Sequence, residues 1–443
     1  MQLRAAPCGA LAGTVRVPGD KSISHRSLMF SAMAVGESRI EGLLEGEDVL
    51  ATAHALEKLG VEVARTGEGA WTVHGVGVGG LAEPADVLDM GNAGTGARLM
   101  MGLLAGHSFT SVMTGDRSLR SRPMGRVMTP LAKMGVGFVG RSGNRLPAAI
   151  VGTRELLPIT YQSPVASAQV KSAILLAGLH AQGITTVTEP LPSRDHTERM
   201  LAHMGATVTS ETAPDGSLTV SITGRPELRP SSFLVPSDPS SAAFPVAAAA
   251  VAEGSRVVVE GVCVNPLRTG LFTTLMEMGA GIMEQNRRTV GGETVADLVV
   301  RGGRLEGVEV PAGRAPSMID EYPVLSVVAA LAHGTSRMRG LSELRVKESD
   351  RLATMAEGLA ACGAAVEIEG DDLIVHGTGG RPVRGGVTID AKLDHRIAMS
   401  FLVMGGIARE PVTVLGAEAI LTSFPGFVER MNALGTSIAE VAA

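Results

Sequence analysis

Aromatic side chains are scarce: one Trp, two Tyr and nine Phe make up 3% of a 443-residue chain. An interior cannot be built around rings from so few. With 56 glycines and 21 methionines it must be packed from aliphatic and small side chains, which suits helices laid against sheets. Cysteine is scarcer still, since Cys8, Cys263 and Cys362 are scattered and odd in number. That excludes a disulfide framework or a thiolate metal site and predicts three reduced, buried thiols. No apolar run approaches the roughly 18 residues that a membrane span needs, the longest being about residues 242–252. The first residues also lack the basic-then-apolar order of a secretory signal, so a soluble, cytoplasmic protein with no membrane partner is expected. Ten histidines are present, but no two stand at metal-ligand spacing, and neither a nucleophile elbow nor a dinucleotide fingerprint occurs. No metal and no cofactor is expected. Positive charge is in deficit as well. A formal charge of −6 and a pI near 6.0 remove any general attraction to nucleic acid, so anion binding must come from local clusters of cations.

What the chain has in quantity is repetition. A Leu or Met, two variable residues, an apolar residue or Cys, then Gly recurs at Leu56–Gly60, Leu131–Gly135, Leu201–Gly205, Leu275–Gly279, Leu359–Gly363 and Met431–Gly435, with 70 to 84 residues between successive glycines. Each glycine follows an amphipathic helical pattern and precedes an alternating or apolar stretch, which reads as helix, Gly cap, strand. Upstream of each lies a second helical pattern, apolar on all faces, at 28–35, 97–105, 170–179, 242–252, 324–332 and 397–407. Helices of that kind are buried. Strands are expected at 183–189, 256–262, 335–340 and 411–415. Three units and three units predict two similar α/β domains, one from 1–15 plus 236–443 and the other from 16–235, which fits the two or three domains that the length favours.

Chemistry collects where the apolar helices begin. A helix N-terminus offers unpaired N–H groups and a partial positive charge. The six starts carry Lys21-Ser22, Asn92/Gly94/Thr95, Ser167/Gln169, Ser240-Ser241, Asp320-Glu321 and Asp394/Arg396. In PGDKSISHR (18–26) a Ser N-cap with surface charges is the plain alternative to an anion site. NAGTG (92–96) can bring N–H groups close to an oxyanion but lacks the Walker ending. In RSLRSRPMGR (117–126), Arg117, Arg120, Arg122 and Arg126 repel one another unless anions arrive, or else cover a solvated face. Asp320 and Glu321 in SMIDEYP could serve as caps, though capping accounts for only one of the two carboxylates. ELRVKESDR (343–351) is either a salt-bridged helix start or a catalytic cluster. In LDHRIAMSF (393–401), Asp394 and Arg396 enter a buried helix, a position that favours paired or ligand-bound charge; pairing with each other is one solution.

Taken together, these motifs resemble the EPSP synthase family over essentially the whole chain, from PGDKSISHR to TSFPGF (422–427). The resemblance implies an inside-out α/β barrel of the enolpyruvyl transferase type, with the active site in a cleft between two three-repeat domains. It implies shikimate 3-phosphate held by Lys21, Ser22, Arg26, Ser167, Ala168, Gln169, Arg194, Asp320 and Lys347. Phosphoenolpyruvate would meet Lys21, Asn92, Gly94, Thr95, Arg122, Gln169, Arg351 and Arg396. Asp320 is expected as the base for the attacking hydroxyl and Glu348 as the group that protonates and then deprotonates the methylene carbon. Lys347 and Arg351 flank Glu348 and should lower its pKa. Lys21 would assist proton transfer and stabilise the intermediate. Thr422 stands where many members carry a Lys, so that contact is lost or supplied by Lys347. SRDHTE (193–198) replaces a Ser/Tyr pair and points to a divergent bacterial branch. Gly94 should leave room for glyphosate, the expected inhibitor. The rivals are a UDP-N-acetylglucosamine enolpyruvyl transferase, whose loop Cys is missing from 110–126 here, and a non-catalytic phosphosugar-binding protein. A monomer is the family expectation.

Overall fold

The computed structural model describes residues 1–441. The chain forms two compact units. A terminal unit comprises Met1–Asp20, Pro236–Thr289 and the chain from Thr294 onward, and a central unit comprises Lys21–Val235 with Val290–Glu293. Each has a core of its own, drawn mainly from Ala, Val, Leu, Ile and Met as the shortage of rings requires.

Each unit holds three four-stranded sheets of one design, in which an edge strand runs parallel to its neighbour. In the central unit the order 160–162, 184–189, 218–223, 208–212 is typical. Two sheets borrow their parallel edge strand from a distant part of the chain: Ser232–Leu234 lies beside Val35–Glu41, and Ala12–Val15 beside Arg256–Cys263.

The all-round apolar patterns form six buried helices: α1 (Lys21–Ala32), α2 (Gly94–Leu104), α3 (Ala168–Gly178), α4 (Pro239–Val251), α5 (Tyr322–Leu331) and α6 (His395–Ile407). The first begins seven residues earlier than the apolar pattern alone suggests, because the polar residues Lys21 to Ser27 are already helical and mostly buried. The outer helices end as the repeated motif predicts. Gly60, Gly135, Gly205, Gly279, Gly363 and Gly435 all adopt φ between 83° and 106°. The residue after each glycine donates its N–H back to the motif's Leu or Met carbonyl at 2.9–3.3 Å, which is a Schellman closure.

A second set of glycines sets the distance from sheet to helix. A Cβ on Gly75, Gly152, Gly224, Gly302 or Gly377 would fall 1.9–2.2 Å from a carbonyl oxygen near the C-terminal end of a buried helix. The thiols are all free, and Cys263 and Cys362 are buried. Cys8 departs from expectation in being only partly buried, with Sγ 3.4 Å from the Gly406 carbonyl oxygen. Among the described residues no helix is long and apolar enough to cross a membrane.

Candidate active site

Within the central unit the starts of α2 and α3 touch: Gln169 Nε2 donates to Thr95 Oγ1 at 2.9 Å. Further along, a Cβ on Gly102 would lie 2.2 Å from the Ala173 carbonyl oxygen, so the two helices run side by side in the same sense. Ser167 caps α3, accepting weakly from the Val170 N–H at 3.5 Å. Ser167, Ala168 and Gln169 are partly exposed at the start of α3, as are Lys21 and Ser22 at the start of α1 and Arg194 in the turn before His196. The Lys21 ammonium pairs with Asp48 at 2.9 Å, a partner that sequence reasoning missed. Arg26 is different, being 2% exposed, with bonds to Thr197 Oγ1, Ser172 Oγ and the Ser22 carbonyl at 2.7–2.9 Å.

Of the four clustered arginines only Arg122 is buried; Arg117, Arg120 and Arg126 are exposed. Asp116 caps the short helix Arg117–Ser121, which helps disperse the positive charge. Arg122 donates to Asn92 Oδ1 and, at 3.0 Å, to Ser118 Oγ, while Asn92 Nδ2 donates to Asp116 at 2.8 Å. Gly94 lies directly against it. A Cβ there would come within 2.8 Å of Arg122 Nη1 and 3.1 Å of Arg98 Nη1.

Within the terminal unit the three buried helices also bring their N-termini together. Arg396, at the start of α6, reaches the Ser240 carbonyl in α4 at 3.3 Å and Glu321, just before α5, at 3.4 Å. Glu321 stands at the N-cap of α5 but makes no side-chain capping bond. Asp320 instead sits between two cations, Lys347 at 3.2 Å and Arg351 at 3.0 Å. Arg351 is fully buried and also binds Glu348 at 2.5 Å and Asp394 at 2.8 Å. Burial alone would depress the Arg351 guanidinium, but Asp394, Glu348 and Asp320 outweigh it and hold the group firmly charged. One expectation is corrected here. Asp394 pairs with Arg351, taking only the backbone N–H of Arg396. Lys347 meets Asp320, and Glu348 meets Arg351.

Thr422 ends a short 3-10 turn, and its hydroxyl donates to the Ala419 carbonyl at 2.8 Å. No motif foretells that Asp195, His196 and Glu293 meet, with ligand atoms within 4.8 Å of one another. His196 Nδ1 already bonds Glu293 at 2.7 Å, and Asp195 bonds Arg199 at 2.7 Å, so the group is internally satisfied. Also unforeseen is the buried Arg268, which holds Asp20 at 2.8 Å and Asp238 at 3.0 Å within the terminal unit. Several charged residues at the helix starts thus have partners from other elements, Lys21 from 27 residues away and Arg351 from 43, alongside local ones such as Glu348.

Six sheets of one design, buried helices whose N-termini gather within each unit, and clustered guanidiniums beside paired carboxylates define an enolpyruvyl transferase. An enolpyruvyl transferase from Streptomyces tendae, NikO, shares this fold at a TM-score of 0.80 with 18% identity, a likeness of fold alone. The family model for EPSP synthase (3-phosphoshikimate 1-carboxyvinyltransferase) matches residues 6–431, and the chain belongs to that family. The 3-phosphoshikimate 1-carboxyvinyltransferase of Paramagnetospirillum magneticum is 63% identical over 435 residues, covering 98% of this chain and 97% of the relative. That of Rhodospirillum rubrum is 60% identical over 440 residues, covering 98% and 97%. An EPSP synthase structure from Acinetobacter baumannii superposes with a TM-score of 0.88 at 44% identity over all of both chains. The activity is that of a 3-phosphoshikimate 1-carboxyvinyltransferase of the shikimate pathway.

Proposed function

We propose that both units contribute to one reaction, in which the 5-hydroxyl of shikimate 3-phosphate adds to phosphoenolpyruvate and phosphate is then eliminated. The carrying observation is the terminal-unit cluster in which Asp320 and Glu348 share the Arg351 guanidinium. A protein that only bound anions would gain nothing from placing carboxylates there. Asp320, flanked by Lys347 and Arg351, is supported as an ionised base for the hydroxyl proton. Glu348, protonated once burial and the bound substrate anions offset the pull of Arg351, delivers that proton to the methylene carbon and takes one back on elimination. Lys21 stabilises charge in the tetrahedral intermediate.

Shikimate 3-phosphate is assigned to Lys21, Ser22, Ser167, Ala168, Gln169 and Arg194 of the central unit, with Asp320 and Lys347; Ser167 and Arg194 are assigned to its phosphate. Arg26, committed to Ser172 and Thr197, acts mainly by fixing α1 against α3. Phosphoenolpyruvate is assigned to Lys21, the N–H-rich turn at Gly94 and Thr95, Arg122, Gln169, Arg351 and Arg396, the guanidiniums offering forked donors to its phosphate and carboxylate. Asn92 contributes by orienting Arg122. The bare Cα of Gly94 leaves space for longer phosphoenolpyruvate analogues, so glyphosate should inhibit. A cytoplasmic monomer is the working form in this reading, and gel filtration coupled to light scattering tests the monomer.

Replacing Glu348 by Gln keeps the shape and removes the proton. Turnover should fall by about 10²–10⁴, with both KM values nearly unchanged. Wild-type turnover in this variant would remove Glu348 from the mechanism.

A further inference from the structure

Beneath the proposed phosphate contacts of the central unit lies a charged cluster that the reaction does not use directly. Lys171, one turn into α3, is wholly inaccessible, and its ammonium lies 3.0 Å from Glu189 and 2.8 Å from Glu198. Glu189 ends the strand Ile184–Glu189 and is also fully buried. Its Oε1 accepts the Ser167 backbone N–H at 2.7 Å, and both its oxygens accept from Ser193 Oγ, at 2.9 and 2.7 Å. Lys171 adds a bond to the Ser193 carbonyl at 3.2 Å. That carbonyl belongs to the peptide whose N–H is that of Arg194.

Buried carboxylates and ammoniums are costly to desolvate and are often no better for stability than apolar packing. A core needing only stability gains little from three of them. What this group does achieve is geometric, because one carboxylate ties together the turn that caps α3 and the turn that carries Arg194. We propose that Glu189, backed by Lys171, is a positioning residue for the phosphate of shikimate 3-phosphate, setting the distance between Ser167 and Arg194. Glu198 is the second carboxylate on the same ammonium, which carries a single positive charge against the two. Burial pushes the Glu198 carboxyl up, and Lys171 offsets this only in part. The inference rests on the assignment of Ser167 and Arg194 to that phosphate.

The test separates the two. Arg194→Ala should raise KM for shikimate 3-phosphate at least tenfold; if it does not, the phosphate assignment itself fails. Glu189→Gln keeps the side-chain shape but replaces one acceptor oxygen by a donor. It should raise the same KM about tenfold while KM for phosphoenolpyruvate changes less than twofold. In the Arg194→Ala background Glu189→Gln should add much less than its effect alone, because it acts through the same contact. A purely structural role predicts the opposite pattern: a lower melting temperature and less active enzyme, with both KM values unmoved. That result, with Arg194→Ala behaving as expected, would overturn the positioning role. Should Glu189→Gln fold poorly, the triple change Glu189→Gln, Lys171→Met and Glu198→Gln removes all three charges of the cluster together and is read in the same way.

Discussion

Arg351 shows how much of the site depends on a residue's partners. Its buried guanidinium holds Asp320, Glu348 and Asp394, so it fixes the proposed base and proton donor at once. Lys has a point charge in place of a planar fork. Arg351→Lys should therefore lower kcat/KM by 100-fold or more, and retention of wild-type kinetics would contradict the geometry. Gly94 is the steric counterpart. A methyl group there would crowd Arg122 Nη1 to 2.8 Å, so Gly94→Ala should raise KM for phosphoenolpyruvate severalfold and raise the glyphosate inhibition constant more. His180 carries a pH signature unconnected with catalysis. Burial, helped by the neighbouring His107, drops its pKa to about 3, whereas unfolded His titrates near 6.5. The unfolded chain therefore binds a proton that the folded chain refuses, so this contribution to stability is present above pH 6.5 and lost as pH falls. From pH 6.5 to 5.0 the loss should be about 1.6 kcal/mol, seen as a falling urea midpoint. His180→Leu should flatten that part of the profile, and an unchanged profile would mean that His180 is protonated in the fold.

Among the elements, the six outer helices were readable because their ending is a local event. A Schellman closure needs a glycine at positive φ and an acceptor four residues earlier, and both fall within one short motif. The buried helices were readable from apolar character on every face. Contacts between elements left no such trace. Glu189 and Lys171 are 18 residues apart on a strand and a helix, and Asp394 and Arg351 are 43 apart, so no periodicity relates them. The motif LDHR did expose Asp394 and Arg396, but their adjacency suggested the wrong pairing. The glycines that let strands approach helix ends were equally hidden, since a glycine after a strand looks like any turn. They supply a sharp control. Gly302→Ala places a Cβ 1.9 Å from the Ala252 carbonyl oxygen, whereas a Cβ on Gly303 meets nothing within 4 Å. Gly302→Ala should destabilise the terminal unit by about 3 kcal/mol and Gly303→Ala by less than about 0.5 kcal/mol. Equal effects in chemical denaturation would refute the close-approach account.

At the scale of the whole molecule, the chain passes from the terminal unit into the central one at Lys21 and returns at Pro236. Lys21, given a part in both binding and catalysis, is thus the first residue of the central unit, while Asp320, Glu348 and Arg351 belong to the terminal one. The six repeats could be inferred from six spaced motifs, because each repeat must bury its helix against its own sheet. The borrowed edge strands could not, since Ala12–Val15 and Ser232–Leu234 carry no mark of the sheet they join. If residues of both units act on one pair of substrates, neither substrate alone should release phosphate. The direct measurement is inorganic phosphate release from phosphoenolpyruvate with shikimate 3-phosphate, and in parallel with UDP-N-acetylglucosamine, without added metal or nucleotide. Release with shikimate 3-phosphate as the acceptor and none with the nucleotide sugar, slowed about 10²–10⁴-fold in Glu348→Gln, is the predicted result. Release with the nucleotide sugar alone, or with neither acceptor, would contradict it.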